Sequence, residues 1–341
     1  MPDKIFPMGV TFYSYKGGAG RSVAAANVVH RLVNAMNRST VMLDFDIESA
    51  GQGYIHGIDE SWILGRGAKY QHWIYVQELL SGQRIVRGDK QETTEVIDIR
   101  RRDQFEKYAS RFFYDIGRAA EFRFDPAASK EAPSGLLVMS RPVSEVSSNS
   151  SEPQQGAVLR RLFTDSARLL NVSFFVFDSP SGTQPLAHLA RNWSDVLVVL
   201  CRPSKQFLEG TRHFLHRLPL LTQTPSLRNI LLVLSAVPLE DRFRVDRETA
   251  LTRLELIRRE ANDAFKGRKP EIRVTIPRIS DEPKSAQFVI PEVTRLKWHE
   301  CILTDAMASE DEEIRSAVAA YSRLAKYLVA LRDRNSNHAN D

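Results

Sequence analysis

The chain has 341 residues, 43% of them apolar, and its 47 lysines and arginines exceed its 42 acids to give a formal charge of +5. No uncharged apolar run reaches the roughly 18 residues of a membrane-spanning helix, and two cysteines far apart in sequence, Cys201 and Cys301, exclude a disulfide framework. With a start that lacks the charged-then-apolar pattern of a secretory signal, this leaves a cytoplasmic protein as the expectation.

In chain order, residues 8–15 read as a buried apolar strand, followed by Lys16-Gly17-Gly18-Ala19-Gly20-Arg21-Ser22. Val23, Ala26, Val29 or His30, Val33 and Met36 then recur at helical spacing. Residues 41–46 form a second strand that ends in Asp44 and Asp46, with Gly51 soon after. From about 52 to 134 the alternation stops and the sequence turns aromatic and arginine-rich, which predicts an insertion over the site. Within it, 73–80 and 103–118 read as helices, the second carrying Phe105, Tyr108, Phe112 and Ile116 at three- and four-residue steps. Residues 135–140 are the next strand, 144–156 a Ser/Gln/Pro-rich loop and 157–170 a helix. A third acid-tipped strand runs over 174–178, ending at Asp178 before Pro180 and Gly182.

Strands at 195–201, 229–234 and 271–277 alternate with helices at 183–191, 205–218 and 247–266. Residues 312–331 close the chain with an apolar stripe from Ile314 to Leu331 that reads as packing on the sheet rather than as a membrane anchor. Residues 336–341 are a polar tail, so 1–335 is expected to be one domain. The alternation predicts an α/β fold with a doubly wound, mostly parallel sheet flanked by helices. His213 and His216 stand three apart with no nearby acid or cysteine pair, and read as surface or packing residues, not zinc ligands.

The chemistry converges on residues 16–22. Glycines at 17, 18 and 20 let backbone N–H groups turn inward as a nest for anionic oxygens, with the N-terminus of the next helix aimed at the same point. The P-loop pattern G-x-x-x-x-G-K-[ST] is met with two departures, an extra lysine at 16 and arginine at 21. The run resembles the deviant Walker A motif of the MinD/ParA family of P-loop ATPases, in particular a branch whose loop reads Lys-Gly-Gly-Val-Gly-Arg. The strand ending in Asp44-Phe45-Asp46 and the strand ending in Asp178 are similar to that family's second motif and Walker B segment.

The resemblance implies ATP and Mg²⁺ as cofactors. Lys16, Gly17, Gly18, Ala19, Gly20, Arg21 and Ser22 would hold the phosphates, and Ser22, Asp44, Asp46 and Asp178 the metal. Asp46 would lie nearest the attacking water, and Lys16 would reach the phosphates of a second copy, making nucleotide binding and homodimer formation one event. Ser235 and Pro277 would flank the base. The implied function is a slow ATPase switch read by a partner protein or by DNA, the net positive charge permitting non-specific DNA binding. Arginine and lysine are not interchangeable at a fitted site, so Arg21 raises an alternative: a hydrolysis-impaired, nucleotide-sensing module that recruits a partner.

Overall fold

The computed structural model describes residues 7–59, 76–87, 92–96, 113–116, 120–121, 135–140, 152–169, 171–221, 226–268, 270–278 and 287–338. Its centre is strand β1 (Met8–Tyr13), buried at every position, as befits a strand covered on both faces. The following helix α1 (Arg21–Asn34) leads to β2 (Thr40–Asp44) and a one-turn helix α2 (Gln52–Ile55). Helix α3 (Val76–Ser81) and strands β3 (Gln83–Arg87) and β4 (Glu92–Val96) come next, β3 and β4 pairing as a separate antiparallel ribbon. The short strands β5 (Tyr114–Asp115) and β6 (Ala120–Glu121) precede β7 (Gly135–Val138).

The second half alternates regularly: α4 (Glu152–Leu169), β8 (Phe174–Asp178), α5 (Pro185–Asn192), β9 (Val196–Cys201), α6 (Lys205–Leu221), β10 (Asn229–Leu234), α7 (Arg244–Phe265) and β11 (Arg273–Thr275). Helices α8 (Asp305–Glu310) and α9 (Glu312–His338) close the described chain. Among the described residues no helix is long and apolar enough to cross a membrane.

The main sheet has the order β11-β10-β9-β1-β8-β2-β7-β5-β6, parallel from β11 through β7, with β5 and β6 antiparallel at one edge. This is the doubly wound, mostly parallel sheet expected. On one face Val10 and Phe12 of β1 pack with Val28 and Leu32 of α1 and with Leu324 and Leu328 of α9. That covers the C-terminal stripe with the sheet and α1. On the other face Tyr13, Leu197 and Val199 meet Phe214 and Leu218 of α6 and Leu254 of α7, while Phe175 and Phe177 meet Leu159 and Phe163 of α4. Cys201 belongs to this second layer; burial pushes its thiol up to about 12, so it acts as a small apolar residue.

Three local expectations meet a different outcome. Residues 113–116, read as the end of a helix, instead supply β5 against β7, because Phe113 and Tyr114 are buried only in that pairing; 103–112 and 117–118 lie outside the described residues. Helix α4 begins at Glu152, inside the expected loop, with Pro153 in the first turn where its missing N–H costs nothing. Helix α9 continues to His338, and 339–341 lie outside the described residues, as do 60–75 of the insertion and 279–286 of the late loop.

Gly9 is required by a close approach: a Cβ there would stand 2.2 Å from the carbonyl oxygen of Trp193. Beside it, the Gly9 N–H donates to Asp195 Oδ2 at 2.8 Å. Burial pushes the Asp195 carboxyl up to about 6, against the lowering by that bond and by Arg228. A raised carboxyl pKa favours the fold fully below the unfolded value and loses that contribution as pH rises through the folded one. Asp195→Asn, which keeps an acceptor for Gly9, is therefore expected to stabilise the protein by about 1–2 kcal/mol at pH 8 and by nothing measurable at pH 4, a figure discounted for partial exposure. Urea melts at the two pH values check it, and an equal gain at both would count against the assignment.

Candidate nucleotide site

The site is built where β1 runs out between β8 and β9, at the carboxyl end of the parallel strands. Gly18 and Gly20 adopt positive φ, 82° and 71°, a left-handed conformation that side chains with a Cβ seldom take. Gly20 is the N-cap of α1; no side chain caps that end and no acid lies in its first turn, so its N–H groups have no anionic partner from the local sequence. Lys16, Gly17, Gly18 and Gly20 are exposed, whereas Ala19 is buried. The Ser235 hydroxyl, at the end of β10, donates to the Ala19 carbonyl at 2.7 Å and fixes the underside of the loop.

The acids arrive from the other side. Parallel pairing of β2 with β8 sets Asp44 opposite Asp178, and both are fully buried. Asp44 accepts from the Asp46 N–H at 3.2 Å and from the Gln52 N–H at 3.3 Å. Burial first, and then the nearby Asp178, pushes its carboxyl well above the usual range and towards the neutral form.

The side chain of Arg21 lies across the gap between the strands. Its Nε donates to Asp178 Oδ1 at 2.8 Å and its Nη2 donates to Asp46 Oδ2. Burial pulls the guanidinium pKa down, but Asp178 and Asp46 outweigh it and hold the group above its ordinary value. On the far side of Asp178, the Gln52 amide donates to Oδ2 at 2.7 Å and to the Ser22 carbonyl at 2.9 Å.

Of the residues expected from the sequence, the structure thus gathers Ala19, Arg21, Ser22, Asp44, Asp46, Asp178 and Ser235 into one connected set. Lys16 stands apart, exposed and with no ion pair among the described residues. Pro277, buried beyond β11, bonds through its carbonyl to the Phe288 N–H and not to the loop. Gln52 was not expected: it carries no motif of its own, and only the turn of helix after Gly51 brings it under Asp178.

The acids expected to hold the metal are engaged with other partners in this arrangement. Both oxygens of Asp44 and both of Asp178 already accept hydrogen bonds, and Asp46 Oδ2 is held by Arg21. Among the described residues no cluster of His, Cys, Asp or Glu is disposed to hold a metal ion. Magnesium asks for near-octahedral oxygens, so Asp44, Asp46 and Asp178, paired as they are here, do not fit it.

No protein-family model matches the chain, and no curated protein sequence matches it. Solved structures do resemble it along nearly its whole length. The septum site-determining protein MinD of Pyrococcus horikoshii OT3, complexed with Mg-ADP, has a TM-score of 0.55 at 16% identity, over 96% of this chain and 98% of that one. An ATP complex of Cyanothece McdA has a TM-score of 0.56 at 13% identity, over 95% and 97%. The ParA of pNOB8 bound to nonspecific DNA has a TM-score of 0.53 at 12% identity, over 96% and 99%.

Proposed function

We propose that this chain, which has the P-loop fold of MinD, McdA and ParA, is a nucleotide-dependent switch: ATP seated on residues 17–22 joins two copies, and a partner reads the joined state. One observation carries the reading. The glycine loop and both acid-bearing strands meet at a single point, with Arg21 touching an acid from each strand. Nothing else among the described residues brings an anion cradle and acids together in this way. The precedents for the ligand are the Mg-ADP and ATP complexes among the structural neighbours.

In this reading the backbone N–H groups of residues 17–22 hold the phosphates and Ser235 keeps the loop in shape from below. Lys16, exposed on the loop and without an ion pair among the described residues, would act on the second copy's phosphates. Pro277 and the end of β10 flank the base, which leaves adenine as the expected nucleobase by analogy.

Asp46 would orient the attacking water, and here the geometry favours slow turnover. Its Oδ2 is already taken by the Arg21 guanidinium, which leaves only Oδ1 to position a water. The hydrolysis-impaired form of the switch therefore stands as the second reading, and the two differ only in phosphate release.

A protein partner is favoured over DNA as the reader. Arg258 and Arg259 of α7 are paired with Glu255, Arg244 with Glu248, and Arg212 of α6 with Glu260, so these arginines form mixed-charge surfaces rather than a basic stripe. Light scattering tests the switch: the mass is expected to rise from that of one 38.7 kDa chain to twice that value on addition of ATP. A chain that stays single at saturating ATP and releases no phosphate would remove the reading.

A further inference from the structure

We infer that Arg21 takes the place of a divalent cation in this site, so that the chain binds its nucleoside triphosphate free of metal. The inference rests on the reading of the loop as a triphosphate cradle.

A cation at such a site links the acids to one another and to a phosphate oxygen. The Arg21 guanidinium already makes the first of these links, through Nε to Asp178 and Nη2 to Asp46. Its third nitrogen, Nη1, makes no hydrogen bond among the described residues. Guanidinium is a rigid planar fork with five N–H donors, so it can keep two edges on the acids while giving the third to an incoming phosphate oxygen. A lysine at this position would offer three donors from a single nitrogen, without the spread of a planar fork across two acids and a phosphate.

The surroundings fix the arginine in that role. The Arg21 side chain is 8% exposed and that of Asp178 is 1% exposed, so solvent screens the pair little. Gln52 holds the opposite oxygen of Asp178 and, by the same amide, the Ser22 carbonyl. That stops the carboxylate from rotating away from Arg21 and ties it to the first turn of α1. Of the six oxygens of Asp44, Asp46 and Asp178, only Asp46 Oδ1 has no donor among the described residues, which leaves these three acids little to offer a competing metal.

The test uses the purified full chain and a fluorescent ATP analogue, titrated in excess EDTA and in excess Mg²⁺. The wild-type Kd is expected to agree between the two buffers within about threefold, whereas Arg21→Lys is expected to bind roughly 30-fold or more weakly in EDTA, the fork having been exchanged for a point charge. A wild-type loss of about 100-fold or more in EDTA would overturn the inference while leaving the nucleotide switch intact.

Absence of binding in both buffers would remove the switch and the inference together. Because Arg21→Lys could fail to fold, a second measurement leaves Arg21 in place: Mn²⁺ is titrated into the wild type without nucleotide and followed by its electron paramagnetic resonance signal. The free-ion signal is expected to be unchanged by the protein, and stoichiometric uptake at this site, lost on adding Asp46→Asn, would overturn the inference.

Discussion

Lys16→Ala is expected to leave the fold intact and to weaken nucleotide-driven pairing of two copies by about 10³-fold, or about 4 kcal/mol, the scale of losing one partner of a buried charge pair across an interface. The side chain is exposed and makes no ion pair among the described residues, so its removal should change stability by no more than about 0.5 kcal/mol. In the proposed switch, its work lies on the phosphates of the other copy. Within one chain the phosphates are already offered the loop N–H groups and Arg21, and binding of the ATP analogue to the single copy should fall only a few-fold. The two measurements separate the roles: light scattering reads pairing, and fluorescence at low protein concentration reads binding. Equal loss of both would place Lys16 in its own chain's cradle, and pairing at wild-type strength would deny it any role between copies.

The parts of this site that sequence shows are those whose chemistry and local conformation coincide. Residues 16–22 advertise a loop by their glycines, and the runs ending in Asp44 and Asp178 are apolar enough to be buried strands. Sequence suggests a phosphate ligand at Arg21 and does not show the bridge between acids that the structure finds there. That role depends on β8 lying directly beside β1 with β2 beyond it, an order that no local pattern encodes. Gln52 is hidden for a similar reason, since one turn of helix after Gly51 decides where its amide points. Tyr114 and Asp115 show the opposite failure. Aromatic residues at three- and four-residue steps suggested a helix, but their backbone pairs with Leu136 and Leu137 of β7, a partner far along the chain. The late loop is expected from the sequence to flank a base, and its residues 279–286 lie outside the described ones; of Pro277 and Ser235, only Ser235 reaches the glycine loop.

Asp178→Ala should be the most destabilising single change at the site. It removes the acceptor for both Arg21 Nε and the Gln52 amide at a position with no solvent to replace it. Removing one partner of a buried ion pair strands the other charge and costs about 3–5 kcal/mol. For a chain of this size that is a fall in melting temperature of roughly 5–10 °C. Asp46→Ala should cost less: its side chain is 14% exposed, and Arg21 keeps its bond to Asp178. The cost belongs to the stranded charge rather than to the lost bond, which makes a sharper expectation. Arg21→Met combined with Asp178→Leu should recover most of the stability, because no buried charge is stranded at the gap: Asp46, 14% exposed, can turn to solvent and the Gln52 amide keeps the Ser22 carbonyl. If the double variant is as unstable as Asp178→Ala alone, the loss comes from Gln52 and the packing under α1, and the guanidinium is not the group that holds the acids together.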